Sequence, residues 1–198
     1  MQKILLITIM SYLVGSIPTA YLFAKILKGI DIRKHGSGNP GATNVFRTVG
    51  KTAGVIVFII DMLKGFLAVY LVSRFFNADI NYSLLSGIAA IGGHNWTVWL
   101  SFKGGKGVAT GAGVVFALLP ISATAGVAVF FVSLFLTKYV SLSSIFSTAV
   151  VAIVSWFYPG NNPLLIKIVI TLLCAVIILR HKNNLVRLAK GEEPKIKL

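Results

Sequence analysis

Seven apolar stretches divide this chain, at residues 4–24, 53–73, 82–102, 107–119, 121–137, 141–158 and 164–179. Runs of this length with so little charge predict membrane-spanning α-helices. Residues 107–137 carry no charge and are too many for one span of roughly 20, and Pro120 falls where a turn is needed, so two short spans are expected there. A polar Asn77-Ala78-Asp79 turn precedes the third run, and Pro159-Gly160-Asn161-Asn162-Pro163 separates the sixth from the seventh. The first run follows a single basic residue and exceeds the usual apolar segment of a signal peptide, so it reads as a span. The fold class expected is an all-α integral membrane protein of seven transmembrane helices, a single polytopic domain over residues 1–198.

Seven spans leave the two ends on opposite sides, and the distribution of Lys and Arg selects the orientation. One side receives only Lys3, Arg74 and Lys167, and Lys64 falls within a span; every other one of the 19 Lys and Arg residues lies on the opposite side. The N-terminus is therefore expected outside and the C-terminus in the cytoplasm. This puts the polar segments 28–52, 102–107 and 180–198 together on the cytoplasmic face.

Composition sharpens the class. Of 198 residues 56% are hydrophobic and only 12% charged, against about 25% charged in ordinary soluble domains. The net charge of +14 points to nucleic acid, an anionic membrane surface or anionic substrates. Confinement of the cations to short loops between spans argues against nucleic acid. The single Cys174 lies inside the last apolar run, so no disulfide or Cys-based metal site can form within one chain.

Three short segments carry the candidate chemistry. The first runs from Gly36 to Arg47 and includes Ser37, Gly38, Asn39, Gly41, Thr43 and Asn44. Its glycines match G-x-G-x-x-G with Asp61 20 residues beyond the last of them, but a membrane helix precedes it and Asp61 lies in another, so no dinucleotide-binding unit is implied. Glycine backbone can still close its N–H groups around an anion, with Ser37, Asn39, Thr43 and Asn44 as neutral donors and Arg47 as a planar fork for phosphate. A basic loop resting on anionic lipid headgroups is the alternative.

The second segment, Lys103-Gly104-Gly105-Lys106-Gly107, lacks the spacing and the Ser or Thr of an ATP-binding loop. Lys106 opens the fourth span, where a helix N-terminus favours an anion; lysines snorkelling to headgroups are the other reading. The third segment, Arg180 to Arg187, is expected to continue the seventh helix, with Arg180, Asn184 and Arg187 on one face and His181 at its margin. A basic flank that stops membrane insertion would explain Lys182 and Lys190, but not the His and Asn. Within spans, Asp61 and Lys64 stand one helical turn apart, either as a structural pair or facing substrate. His94 is expected roughly 12 Å inside the end of its helix, as a substrate ligand or an interhelical hydrogen-bonding group.

These segments, with Ser16-Ile17-Pro18-Thr19 and Gly93-His94-Asn95-Trp96, resemble the bacterial acyl-phosphate:glycerol-3-phosphate acyltransferase family (PlsY) over nearly the whole chain. The resemblance implies transfer of a fatty acyl group from acyl phosphate to the 1-hydroxyl of glycerol 3-phosphate, giving lysophosphatidic acid and phosphate, with no cofactor and no metal. It further implies a multi-pass protein of the inner (plasma) membrane, working as a monomer in the lipid bilayer from its cytoplasmic face. The catalytic set would be His181, Ser37, Arg47 and Lys106. Substrate would be bound by Gly38, Asn39, Gly41, Thr43, Asn44, Lys103, Gly105, Arg180, Asn184, Arg187 and His94. His181 either accepts the hydroxyl proton or, its basic neighbours opposing protonation, orients a phosphate whose own oxygen takes the proton.

Overall fold

The computed structural model describes residues 1–76, 79–157 and 163–196. The turns expected at Asn77-Ala78 and Pro159-Gly160-Asn161-Asn162 lie outside those residues, as do Tyr158 and Lys197. Among the described residues there are ten α-helices and no strand. They are α1 (Gln2–Ser16), α2 (Thr19–Lys28), α3 (Ala42–Thr48), α4 (Lys51–Phe75), α5 (Ile80–Asn95), α6 (Val108–Leu118), α7 (Pro120–Thr137), α8 (Val140–Trp156), α9 (Leu164–Leu179) and α10 (Lys182–Ala189). Among the described residues three stretches are long and apolar enough to cross a membrane, α1 with α2 as one stretch, α4 and α7, and the bent pair α9 and α10 makes a fourth if taken as one span.

The break at Pro120 is present: α6 stops at Leu118 and Pro120 opens α7 as its first residue, a position where its missing N–H leaves no bond unmade. Three expected elements differ. The first run is not one helix, because Pro18 has no N–H to continue the ladder; Ile17 turns out at φ −51°, ψ 115° and α2 restarts at Thr19. The third run does not stay helical to Phe102. α5 ends at Asn95, and a 3-10 turn over Val98–Leu100 follows. His94 therefore sits in the last turn of its helix rather than roughly 12 Å inside it.

The third correction concerns the C-terminal motif, which is not an extension of α9. α9 ends at Leu179 and α10 leaves it at 50°. The cause is local. The His181 ring Nδ1 takes the Ile177 carbonyl at 2.8 Å, the acceptor that its own backbone N–H would use in a continuing helix. That N–H shortens its reach to Ile178 O, 2.8 Å, tightening the turn and breaking the axis. Arg180 thus belongs to the end of α9, and only Asn184 and Arg187 share a helix beyond the bend.

The chain forms two compact units, Met1–Ala117 and Leu118–Leu198. In the first, α1 lies against α5 and α4, and α2 and α3 pack against α4 around Ala20, Ala24, Ile32, Val45 and Val57. Its helices approach through glycine. A Cβ at Gly15 would overlap the Ala90 carbonyl, one at Gly65 the Thr110 carbonyl, and one at Gly113 the Met62 carbonyl. Such close approach replaces side-chain interdigitation by backbone contact, the packing that apolar lipid favours. In the second unit α8 packs against both α7 and α9, and the segment after α10 turns at Gly191 (φ +70°) and returns so that the Ile196 N–H reaches Lys138 O at 2.8 Å.

Candidate active site

The first unit contains two of the three segments. In the loop before α3, Gly36 and Gly38 adopt left-handed φ values of +58° and +71°, open to glycine at little cost. A Cβ at Gly36 would strike the Asn44 side chain. Asn44 is buried, and both kinds of donor and acceptor on its amide are engaged. Its Oδ1 accepts the Ser37 N–H at 3.0 Å, while Nδ2 donates to His35 O at 2.9 Å and Ile32 O at 3.2 Å. Asn44, expected as a donor to substrate, ties the loop into shape. The other loop N–H groups also turn inward: Gly38 to His35 O and Gly41 to Asn39 O, each 3.0 Å, with Asn39 against Ser37 Oγ at 3.4 Å. The N–H groups of Ser37, Gly38, Asn39 and Gly41 are thus taken by the loop's own acceptors, and the segment also presents side chains: the exposed Ser37, the half-buried Asn39 and Thr43 and, from α3, the half-buried Arg47.

At its start the loop is braced by Asp31, which caps the 3-10 turn Ile32–Lys34 through the Arg33 N–H at 3.0 Å. The Arg33 side chain, 2.7 Å away, donates back to the same carboxylate and holds it well below the usual range, at about 2.

The second segment is held by the end of α5. A helix leaves its last carbonyls without partners, and here Gly104 N–H takes Asn95 O while Gly105 N–H takes His94 O, each at 3.1 Å. Glycine is required for this fit. A Cβ at Gly104 would overlap the His94 carbonyl, and one at Gly105 the His94 ring. Gly107, at φ +86°, then turns the chain into α6, leaving the half-buried Lys106 just before that helix. Lys103 is exposed.

Beneath this loop lies the buried Asp61–Lys64 pair, Nζ to Oδ1 at 2.7 Å. Lys64 also donates to the Ile17 carbonyl at 2.9 Å, at the α1–α2 break, and Asp61 Oδ1 is 3.7 Å from His94 Nδ1. A buried charge needs both a counter-ion and further hydrogen bonds, and this lysine has them. A small cleft opens here, lined by Ser16, Pro40, Lys64, His94, Thr97 and Gly105. It joins the first segment, through Pro40, to the second, through Gly105.

The third segment belongs to the second unit. His181 is buried, and the bond from Nδ1–H to Ile177 O fixes the tautomer of the neutral ring, making Nε2 the acceptor. Asn184 Nδ2 and Arg187 Nε do not stand alone on their helix. Both donate to Glu193, to Oε1 at 2.7 Å and to Oε2 at 2.8 Å, and Ser141 Oγ donates to the same Oε1 at 2.7 Å. Burial pushes the Glu193 carboxyl up, but these hydrogen bonds and the Arg187 charge outweigh it and hold the group below its ordinary value. Sequence reasoning missed Glu193 and Ser141; the one available signal was a rare acid, one of five in the chain, four residues beyond the end of the basic α10. Among the described residues no group of three His, Cys, Asp or Glu side chains could hold a metal ion.

A family model described as glycerol-3-phosphate acyltransferase matches residues 5–191. A glycerol-3-phosphate acyltransferase of Bacillus velezensis is 48% identical over 98% of both chains, and one of Bacillus subtilis is 46% identical over the same shares. Among solved structures, PlsY (YgiH), an integral membrane glycerol 3-phosphate acyltransferase, is similar in its glycerol 3-phosphate form with a TM-score of 0.92 at 39% identity, over 98% of this chain and 96% of that one. Its lysophosphatidic acid form gives 0.89 at 38% over the same shares. With a family model spanning nearly its full length and relatives close to half identical, this all-helical chain belongs to the PlsY family of integral membrane glycerol-3-phosphate acyltransferases.

Proposed function

We propose that the chain transfers a fatty acyl group from acyl phosphate to the 1-hydroxyl of glycerol 3-phosphate, releasing lysophosphatidic acid and inorganic phosphate as a step of phospholipid synthesis. The observation that carries this reading is the cleft of the first unit, where the first segment, through Pro40, and the second, through Gly104 and Gly105, meet beside the buried Lys64. Relatives with the same fold have been seen with the acceptor and with the product of such a reaction.

Acyl phosphate is a mixed anhydride and brings its own driving force. The enzyme's task is to bring together two phosphorylated molecules that repel each other, each phosphate carrying about −1.5 to −2 charges. Arg47 and Lys106 neutralise them, Arg47 with two parallel bonds and Lys106 as a point charge. Ser37, Asn39, Thr43 and Lys103 add donors around them, Gly38, Gly41 and Gly105 give the backbone turns that place those side chains, and Arg180, Asn184 and Arg187 serve from the third segment. The 1-hydroxyl attacks the acyl carbonyl carbon, the bond from that carbon to the phosphate oxygen breaks, and phosphate departs. The hydroxyl proton passes to a phosphate oxygen, with His181 orienting that phosphate through Nε2.

The topology that suits this chemistry has seven spans, the N-terminus outside, and segments 28–52, 102–107 and 180–198 on the cytoplasmic face of the plasma membrane. Cysteines placed at Ser37, Lys103 and Asn183 then react only with reagents that reach the inner face; labelling of any one from outside overturns the orientation. For the reaction itself, phosphate release from acyl phosphate is followed with and without glycerol 3-phosphate. Release that requires the acceptor, and falls with Arg47→Lys and Lys106→Ala by the equivalent of about 2–4 kcal/mol, supports the proposal. Release independent of the acceptor, or near-normal kcat/KM in both variants, sinks it.

A further inference from the structure

Glu193 is the least expected group of the second unit. Its side chain is only 2% exposed, on a chain with five acids in all. If packing alone were needed there, an apolar residue of similar size would be no less stable, because ion pairs taken out of water roughly break even. What a carboxylate adds is direction: it accepts only, along defined lone pairs, and so dictates which way its donors face.

Three donors from two helices meet on it. Ser141 comes from the first turn of α8, Asn184 and Arg187 from successive turns of α10. The tail that delivers it is itself fastened, by Glu192 N–H to Arg187 O at 2.8 Å and by Ile196 N–H to Lys138 O at 2.8 Å. For Asn184 the bond through Nδ2 selects one of the two ways the amide can point. For Arg187 the consequence is stronger. A guanidinium is planar, with Nε on one edge and the two terminal nitrogens paired on the opposite edge. Anchoring Nε on Glu193 turns the Nη1/Nη2 edge away from the tail, and with Arg187 one-third exposed that edge is the one suited to grip a phosphate with two parallel bonds.

We propose that Glu193 is a positioning residue of the acyltransferase site, which aims the Arg187 fork and the Asn184 amide at a substrate phosphate and makes the segment after α10 a working part of the enzyme. The proposal rests on the reading of the third segment as a phosphate site.

The test uses Glu193→Gln in the full-length chain, assayed by acceptor-dependent phosphate release with both substrates varied. Glutamine keeps an oxygen for Ser141 and Asn184 but opposes an N–H to Arg187 Nε. A positioning role predicts a rise of about tenfold or more in KM for one phosphorylated substrate, the size of a lost charged hydrogen bond, with kcat changed far less. In an Arg187→Ala background the same change adds less than twofold. Glu192→Gln, an exposed neighbour, leaves both constants as they were. A brace without a positioning role gives a different pattern: kcat per mole of protein falls while both KM values hold, or the losses of Glu193→Gln and Arg187→Ala multiply. Either pattern, or unchanged kinetics in Glu193→Gln, overturns the proposal. Absence of acceptor-dependent release in the unaltered protein overturns the functional reading itself, and the two failures are thereby told apart.

Discussion

The two units hold their buried charge and their polar donors in opposite ways. In Met1–Ala117 the charged pair closes within one helix, Asp61 to Lys64, and the loops are set by glycine backbone pressed against helix-end carbonyls. In Leu118–Leu198 a carboxylate arrives from a distant segment and orders side chains on two helices. The first arrangement tolerates no added atom, and the second no lost charge. Local sequence announces the first, through its glycines and its i, i+3 spacing, and says little of the second.

The sharpest way to break this contrast is at Lys64. Lys64→Met leaves the buried Asp61 carboxylate without its lysine and removes the partner of Ile17 O, which is expected to destabilise the protein by about 3–5 kcal/mol. Asp61→Asn combined with Lys64→Met should recover much of that loss. Thermal unfolding of the detergent-solubilised variants reads both. If the double variant is no better than the single one, the pair is not the self-contained unit described above.

The loop glycines come next in size. Gly104→Ala sets a methyl against backbone, the His94 carbonyl, whereas Gly105→Ala first meets a side chain, the His94 ring. The first is expected to cost about 1–3 kcal/mol as an overpacked site, the second clearly less. Equal destabilisation of the two would show that loop closure, not the individual contact, decides.

The smallest effect is on pH. Glu193 is held below its ordinary value, so the stabilisation from its three hydrogen bonds is fully present at neutral pH and down to the unfolded value of about 4.3. It is lost as pH falls further, through the lowered folded value. Hydrogen exchange of residues 191–196 should therefore quicken below about pH 4, a step that Glu193→Gln abolishes. A step that survives in Glu193→Gln assigns the acid sensitivity to another group.

Much of the frame was legible in the residues. The bounds 164–179 of α9 follow from its apolar run, and the break at Pro120 from length against bilayer thickness. The ends of α5 and α9 were not legible, for a common reason. Apolar character continues from Trp96 to Leu100, so hydropathy cannot register that the Asn95 and His94 carbonyls are taken by Gly104 and Gly105. Nor does it register that an imidazole can replace a backbone N–H at Ile177. At the site, the sequence shows glycines but not that Gly36, Gly104 and Gly105 also give room to other parts of the chain. Nor does anything in the sequence neighbourhood of Asn44 say that the Ser37 N–H and the carbonyls of Ile32 and His35 engage its amide.

The bond from Lys64 to Ile17 O has a consequence for how the chain is made. Pro18 emerges from the ribosome well before Lys64, so the broken first stretch, α1 with α2, reaches the membrane with the Ile17 carbonyl still lacking its cation. α4 suffers no such delay, because Asp61 and Lys64 neutralise each other inside a single helical turn and enter the bilayer together, avoiding the roughly 2.5–3.5 kcal/mol that each charge alone would impose. Biogenesis therefore runs from an unfinished N-terminal break to a self-neutral helix that finishes it. The order of translation, and not the final packing alone, makes the two residues most useful as neighbours on one turn.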